Sequence, residues 1–165
     1  MFQAGDKVVH PAHGAGIIAG IETHDNISDK YSRYYVIDLA GTQRKLMIPV
    51  QMADTLGLRP VVSEKQVSQI MGALRAAPEE LPNDFGERQA HLSTGLKSGD
   101  AIMLAEIVRN LHWRGLGRKL SATDQELYLR AKQMLAGELA LAEDVKVDKA
   151  IDRIEATLNF GDQVT

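Results

Sequence analysis

The spacing of apolar residues changes once along the chain, close to residue 62. Before that point, short runs rich in β-branched residues alternate with turn-forming residues, a pattern typical of strands. Five strands are predicted, at residues 7–9, 16–21, 34–39, 45–50 and, more weakly, 56–62. Turn signals separate them, for example His24-Asp25-Asn26 and Ser28-Asp29-Lys30. So many short strands in so few residues predict a small, strongly bent antiparallel barrel, which we expect to lean on the rest of the chain.

After residue 62 the apolar positions recur every three or four residues, which predicts helices. Ser63 and Gln66 form a capping-box sequence and open a helix predicted over residues 64–76. A connector with two prolines follows it. Asn83-Asp84 at the end of this connector is placed to cap a second helix, which begins near Phe85.

Three further helices are predicted from similar signals. Ser98-Gly99-Asp100 ends the second helix and caps a third, which runs from residue 101 to Trp113 and stops in the glycine-rich turn at residues 114–118. Residues 121–124 resemble a capping box with Asp in the position of Glu, and they open a long fourth helix. A last amphipathic helix carries Ala150, Ile151, Ile154 and Leu158.

These patterns predict an α+β protein with a β-barrel domain at residues 1–62 and an all-α domain at residues 63–165. The 165 residues are 44% hydrophobic and 25% charged, which excludes a disordered or collagen-like chain. No signal peptide or membrane-spanning run is found, and we interpret the protein as cytoplasmic. The absence of cysteine excludes disulfides, thiolate nucleophiles and Cys-type zinc sites. Because the net charge is −3, any binding to nucleic acid would depend on a local basic surface.

Residues that carry chemistry are few. His10 and His13 have the spacing of a metal-ligand pair, but they flank a proline in a turn and the sequence places no third ligand. The glycines that follow them lack the Lys-Ser or Lys-Thr ending of a phosphate-binding loop. We therefore expect no enzyme, no metal ion and no cofactor.

A basic cluster lies between residues 106 and 120, where four cations face the single acid Glu106. The cations are Arg109, Arg114, Arg118 and Lys119. Such a cluster can bind phosphates, and an equally ordinary interpretation is that cations near the end of a helix complement its dipole. Spacing alone does not separate the two.

Two aromatic residues have unusual positions. Trp113 lies on the side of its helix opposite Leu104, and it either packs against a neighbouring element, the commoner role, or stacks on a base from an exposed position. Phe85 opens the second helix, as either a hydrophobic staple or a projecting contact.

The order of the motifs resembles the CarD/CdnL family of bacterial transcription regulators over nearly the whole chain. The resemblance rests on residues 5–14, Ile48-Pro49-Val50, Gly57-Leu58-Arg59, Ser98-Gly99-Asp100, residues 105–111 and residues 135–142. It implies a Tudor-like N-terminal domain that docks on the β subunit of RNA polymerase. It also implies a helical C-terminal domain that contacts promoter DNA at the upstream edge of the transcription bubble, and no enzymatic activity.

In this family an aromatic residue after the connector wedges into the DNA minor groove, and Phe85 holds that position here. Arg88 is retained beside it, whereas Glu87, Ala90 and Gln125 stand where relatives often have basic residues. The predicted DNA-binding residues are Phe85, Arg88, Arg114, Arg118 and Lys119.

The resemblance also places a polymerase contact on an edge of the β domain, at His24, Lys45 and Met47. The ordinary interpretation of Lys45 is a solubilising charge on an exposed edge strand. The resulting hypothesis is a monomeric initiation factor, with no membrane or small-molecule partner, that bridges polymerase and promoter DNA and stabilises the open complex. The alternative is a protein-only adaptor that docks on polymerase and recruits another protein through its helices.

Overall fold

The computed structural model describes residues 1–25 and 30–164. The turns predicted at Asn26 and Ser28-Asp29 lie outside the described residues. Five strands form one antiparallel sheet in the order β4-β3-β2-β1-β5. They are β1 (Lys7–His10), β2 (Gly14–Thr23), β3 (Arg33–Leu39), β4 (Lys45–Pro49) and β5 (Arg59–Pro60). β4 and β5 are the two edges of this order, so within the described residues the sheet is open and no pairing closes the predicted barrel.

The alternation of side chains along β3 explains the core of the sheet. Tyr35 and Ile37 are buried, and they pack with Ile18 of β2 and Ile48 of β4. The register between β2 and β3 shifts after Ile18, which marks a bulge that bends the sheet around this core.

The fifth strand is shorter than predicted and has only two residues. The Leu56 N–H donates to the Met52 carbonyl and the Leu58 N–H donates to the Ala53 carbonyl, so this stretch folds back on itself. Backbone groups used in a turn are not available for pairing with a strand.

Five helices follow the sheet, which confirms the α+β class. They are α1 (Glu64–Arg75), α2 (Phe85–Lys97), α3 (Ala101–Gly117), α4 (Ala122–Glu143) and α5 (Val147–Val164). The capping box of Ser63 and Gln66 is present as predicted, and Asp84 rather than Asn83 caps α2. In the described part of the chain, no helix has the length and apolar character needed to cross a membrane.

The third helix continues four residues beyond its predicted end at Trp113. Its glycines remain helical, and the helix ends where the Arg118 N–H donates to the Arg114 carbonyl. The side chain of Leu120 lies over Gly115, and Arg114 is buried beside Asp124 of α4, so contacts from beyond the helix stabilise a turn that local propensity would interrupt.

The helices enclose a second core, separate from that of the sheet. α4 runs through its centre and contributes Ala131, Leu135 and Leu139, each at most 1% exposed. α1, α3 and α5 pack around α4 with Ile70, Leu111 and Ile154, among others.

The sheet also packs directly against the helices. Gly137 of α4 lies close to Ala15 of β2 and to Ala40, so the helix packs on the sheet through small residues. The Lys7 Nζ of β1 donates to the Leu141 carbonyl of α4 at 2.8 Å. The expectation that the small sheet leans on the rest of the chain is therefore met.

Candidate interaction surfaces

An exposed aromatic side chain stands at the start of α2. Phe85 is the first residue of the helix and is 53% exposed, so it projects rather than acting as a staple. Asp84 fixes this helix end, because its Oδ2 accepts a hydrogen bond from the Glu87 N–H at 2.9 Å. We call Asn83, Asp84 and Phe85 the tip.

Arg88, a predicted DNA contact, lies in the interior beneath the tip. Its Nε donates to Asp124 Oδ2 of α4 at 2.9 Å, and both side chains are almost fully buried. Its Nη1 donates to the carbonyls of Pro82 and Asn83 at 3.1 and 2.9 Å. The guanidinium is therefore engaged inside the protein, and a direct contact with a phosphate would require it to leave these partners.

Arg114, a second predicted DNA contact, is also buried, with its Nε 4.0 Å from Asp124 Oδ2. Burial lowers the pKa of Arg114, and the charges of Arg88 and Arg118 lower it further. Its position in the last turn of α3 matches the alternative of a cation that complements the helix dipole. Arg109 of the same cluster is buried too, and it donates to the Ala73 carbonyl at the end of α1.

The other two cations of the basic cluster, Arg118 and Lys119, are exposed. Arg118 reaches the tip, because its Nη1 donates to Asn83 Oδ1 at 2.9 Å. The sequence cluster is thus split by the fold, and Arg118 and Lys119 offer cationic groups to solvent, with Arg118 bonded to the tip.

Trp113 is 42% exposed and lies outside the buried helical core, so part of this residue is open to solvent. The side of α3 on which it lies points away from the helical core, as its position opposite Leu104 requires.

Two of the predicted polymerase contacts, Lys45 and Met47, lie on the edge strand β4, and we call them the β4 edge. The third, His24, follows the central strand β2. Lys45 and Met47 alternate with the inward Leu46 and Ile48, so both side chains are exposed on one face. The Lys45 Nζ donates to Asp38 Oδ1 of β3 at 2.6 Å. His24 follows β2, where its Nε2 lies 3.2 Å from Glu22 Oε2 and its ring contacts Tyr34.

His10 and His13 are neighbours, with ring centroids 4.8 Å apart. His10 Nδ1 accepts a hydrogen bond from the Ala12 N–H at 3.0 Å, so this nitrogen is used within the turn. Burial, together with the nearby His13, lowers the pKa of His10. Among the described residues, no group of three or more His, Cys, Asp or Glu side chains is arranged to hold a metal ion.

A buried ion pair joins the sheet to the helices. Arg59 of β5 donates Nη1 and Nη2 to the two carboxylate oxygens of Glu138 at 2.7 and 2.8 Å. Glu138 is 1% exposed and also accepts the Val62 N–H at 3.2 Å. Arg59 further donates to the Gly99 carbonyl between α2 and α3. Three parts of the chain therefore meet at this pair.

The sequence gives no sign of the ion pairs that Asp124 and Glu138 form. Glu138 lies in a motif of the resemblance, and Asp124 was interpreted as a capping-box residue. In the structure Ser121 Oγ does accept the Asp124 N–H, but the Asp124 carboxylate turns to Arg88 and Gln89. The one feature of the sequence that could have indicated these buried ion pairs is the position of both acids within the long helix predicted after residue 121.

Both halves of the chain match domain families of known proteins. The CarD-like/TRCF RID domain matches residues 2–62, and the CarD, C-terminal domain matches residues 69–155. A protein of Bacillus subtilis (strain 168) named "Putative transcription factor YdeB" is 29% identical over 145 residues. This alignment covers 88% of the chain and 94% of the B. subtilis protein.

Proposed function

The chain belongs to the CarD family of transcription regulators, and from this premise we propose that it stabilises the open promoter complex by bridging RNA polymerase and promoter DNA. In this proposal the sheet binds the β subunit of polymerase, and the tip with Arg118 and Lys119 contacts DNA. The protein acts in the cytoplasm without covalent chemistry.

The polymerase contact is supported by the match of residues 2–62 to the RID domain and by the β4 edge. An edge strand presents unpaired backbone groups to which a partner strand can add, and exposed side chains then select the partner. Lys45 and Met47 are placed for that selection, since they alternate with the buried side of β4.

The exposure of Phe85 is the single observation that carries the DNA contact. A flat apolar side chain can fill the space at an unstacked base step, at which it offsets a few kcal/mol of unstacking. Its position at a capped helix end, with the exposed Arg118 bonded to Asn83 of the same tip, suits a site in the minor groove between phosphates.

The proposal requires the protein to bind the open complex better than the closed complex. A ligand with equal affinity for both states shifts nothing, however tightly it binds. The wedge supplies the difference, because its site forms only when base pairs at the edge of the bubble unstack.

The adaptor alternative has its own supporting observation. Trp113 and Leu116 of α3 are both exposed, and exposed apolar side chains on a helix suit a protein partner. An adaptor would place protein, not DNA, against the tip.

Photo-crosslinking from the tip separates the two. A photoreactive phenylalanine analogue in place of Phe85 should crosslink to promoter DNA within a polymerase–promoter complex. The same analogue in place of Phe160, an aromatic that is 64% exposed on α5, is the matched control. Crosslinks from position 85 to protein alone would favour the adaptor and contradict our proposal.

A further inference from the structure

We propose that Asp124 is a positioning residue that fixes the direction of Phe85, and that it acts through Arg88. This inference rests on the proposed function, because it assigns a part to the contact that Phe85 makes. Asp124 itself is 1% exposed and cannot touch DNA from its place in α4.

Asp124 joins the start of α4 to the start of α2. Its Oδ2 accepts the Arg88 Nε at 2.9 Å, and its Oδ1 accepts the Gln89 Nε2 at 2.7 Å. Both donors lie in the first two turns of α2, three and four residues after Phe85. One carboxylate therefore holds two consecutive residues of the helix that presents the aromatic ring.

Arg88 transmits this hold to the tip. Its Nη1 donates to the carbonyls of Pro82 and Asn83, the two residues before the helix cap. Its Cζ lies 5.7 Å from the centroid of the Phe85 ring. The Arg88 guanidinium thus contacts both the backbone just before α2 and the aromatic ring of Phe85.

The arrangement has a direct consequence for binding. An exposed side chain loses conformational freedom when it is bound, and a tip that is already ordered loses less. Without the Asp124 carboxylate, Arg88 and Arg114 would remain as two buried cations close together, and Arg88 would be driven towards solvent. The connector carbonyls and the Phe85 ring would lose their common support.

The orientation of the tip can be measured on a single tryptophan. In the full chain, Trp113→Phe removes the native indole and Phe85→Trp places one at the tip. Time-resolved fluorescence anisotropy then reports the local motion of residue 85. Adding Asp124→Asn should increase the fast local loss of anisotropy, and Asp124→Glu should restore the slower decay because it keeps the charge.

The functional arm uses open-complex lifetimes in the native Phe85 background. Asp124→Asn should shorten the lifetime as far as Phe85→Ala does, about five-fold for a loss equivalent to about 1 kcal/mol. The double variant should be no worse than Phe85→Ala alone, because Asp124 acts through Phe85. Glu155→Gln, which removes the Lys132–Glu155 pair elsewhere among the helices, is the matched control and should change neither readout.

The outcomes are distinguishable. Asp124→Asn that lowers the melting temperature yet leaves the anisotropy of residue 85 unchanged would overturn the positioning role. If Asp124→Asn increases the local motion of residue 85 but Phe85→Ala leaves the open-complex lifetime unchanged, the positioning role stands and the proposed function is overturned. If Asp124→Asn does not fold, Arg88→Lys replaces it, since lysine keeps the charge but cannot span Asp124 and both carbonyls, and it should loosen residue 85 in the same way.

Discussion

Arg88, Arg109 and Arg114 lie inside the helical part, whereas Arg118 and Lys119, four and five residues after Arg114, lie in solvent. Each buried guanidinium has a partner in the described structure, a carboxylate or a backbone carbonyl. The arginines of this region thus have two roles: the buried ones hold the fold together, and Arg118 is open to solvent. Burial, rather than charge, determines which arginines are available to a phosphate.

The first prediction compares Arg114 with its exposed neighbours. Arg118→Ala with Lys119→Ala should weaken DNA association for all sequences alike and flatten its salt dependence by about one unit for each lost phosphate contact. Arg114→Ala should instead lower the free energy of unfolding by roughly 3 kcal/mol, because it removes one cation of a buried network. Binding isotherms at several salt concentrations and thermal melts measure both. If the double variant binds DNA with the same salt dependence as the parent protein, Arg118 and Lys119 do not contact phosphates.

The second prediction concerns His10, whose pKa in the folded protein is lowered from the ordinary value of 6.5. Since the unfolded chain then binds a proton more readily, the free energy of unfolding should fall as the pH drops below about 6.5 and level off below the folded pKa. His10→Gln should flatten this fall, and His13→Gln should reduce it in part because His13 is the second cause of the shift. Denaturant titrations across this pH range measure it. If the free energy of unfolding depends on pH in the same way in the parent protein and both variants, His10 is not the group responsible.

At the scale of elements, local signals predicted the helix starts and tertiary contacts moved the ends. Ser63, Asp84 and Ser121 cap their helices as expected, because a cap is chosen by the residues within one turn of it. The end of α3 was predicted too early, since the buried Arg114, which lies beside Asp124 of α4, supports a turn containing glycines. Contacts of this kind cannot be read from a window of adjacent residues.

The third prediction belongs to β4. Met47→Asp places a charge on the exposed side of the edge strand, where it should weaken binding to the polymerase β subunit with little effect on folding, because Met47 lies outside the sheet core. Pull-down of polymerase with the full chain measures binding, and a thermal melt checks folding. Ile17→Asp, at an exposed apolar position on the central strand β2, is the matched control. Equal loss in both variants would show that the contact is not specific to the β4 edge.

At the scale of the whole molecule, the surface proposed to meet polymerase and the tip proposed to meet DNA are held by one packed body. The pair of Arg59 and Glu138 connects residues 79 apart in the chain, and that of Arg88 and Asp124 connects residues 36 apart. Such pairings are invisible in a single sequence, which explains why the class of fold could be predicted while the supports of the site could not.

The fourth prediction tests this connection. Arg59→Ala leaves the Glu138 carboxylate buried without its charge partner and should lower the free energy of unfolding by about 3 kcal/mol. The combined change Arg59→Met with Glu138→Leu should recover most of this loss, because it removes both charges together. Differential scanning calorimetry measures both variants. If Arg59→Ala melts like the parent protein, the pair does not hold the sheet to the helices.

In the proposed function Phe85 stabilises the open complex, so its loss should be seen in the lifetime of that complex. Polymerase bound at a promoter is challenged with a competitor, and the decay of open complexes is followed with the parent protein, Phe85→Ala and Trp113→Ala. Our account predicts that Phe85→Ala keeps the parent's melting temperature and shortens the lifetime about five-fold, as a loss of about 1 kcal/mol requires. Trp113→Ala, the aromatic control on α3, should leave the lifetime unchanged. A normal lifetime with Phe85→Ala and a short one with a stable Trp113→Ala would contradict the account and assign the DNA contact to Trp113.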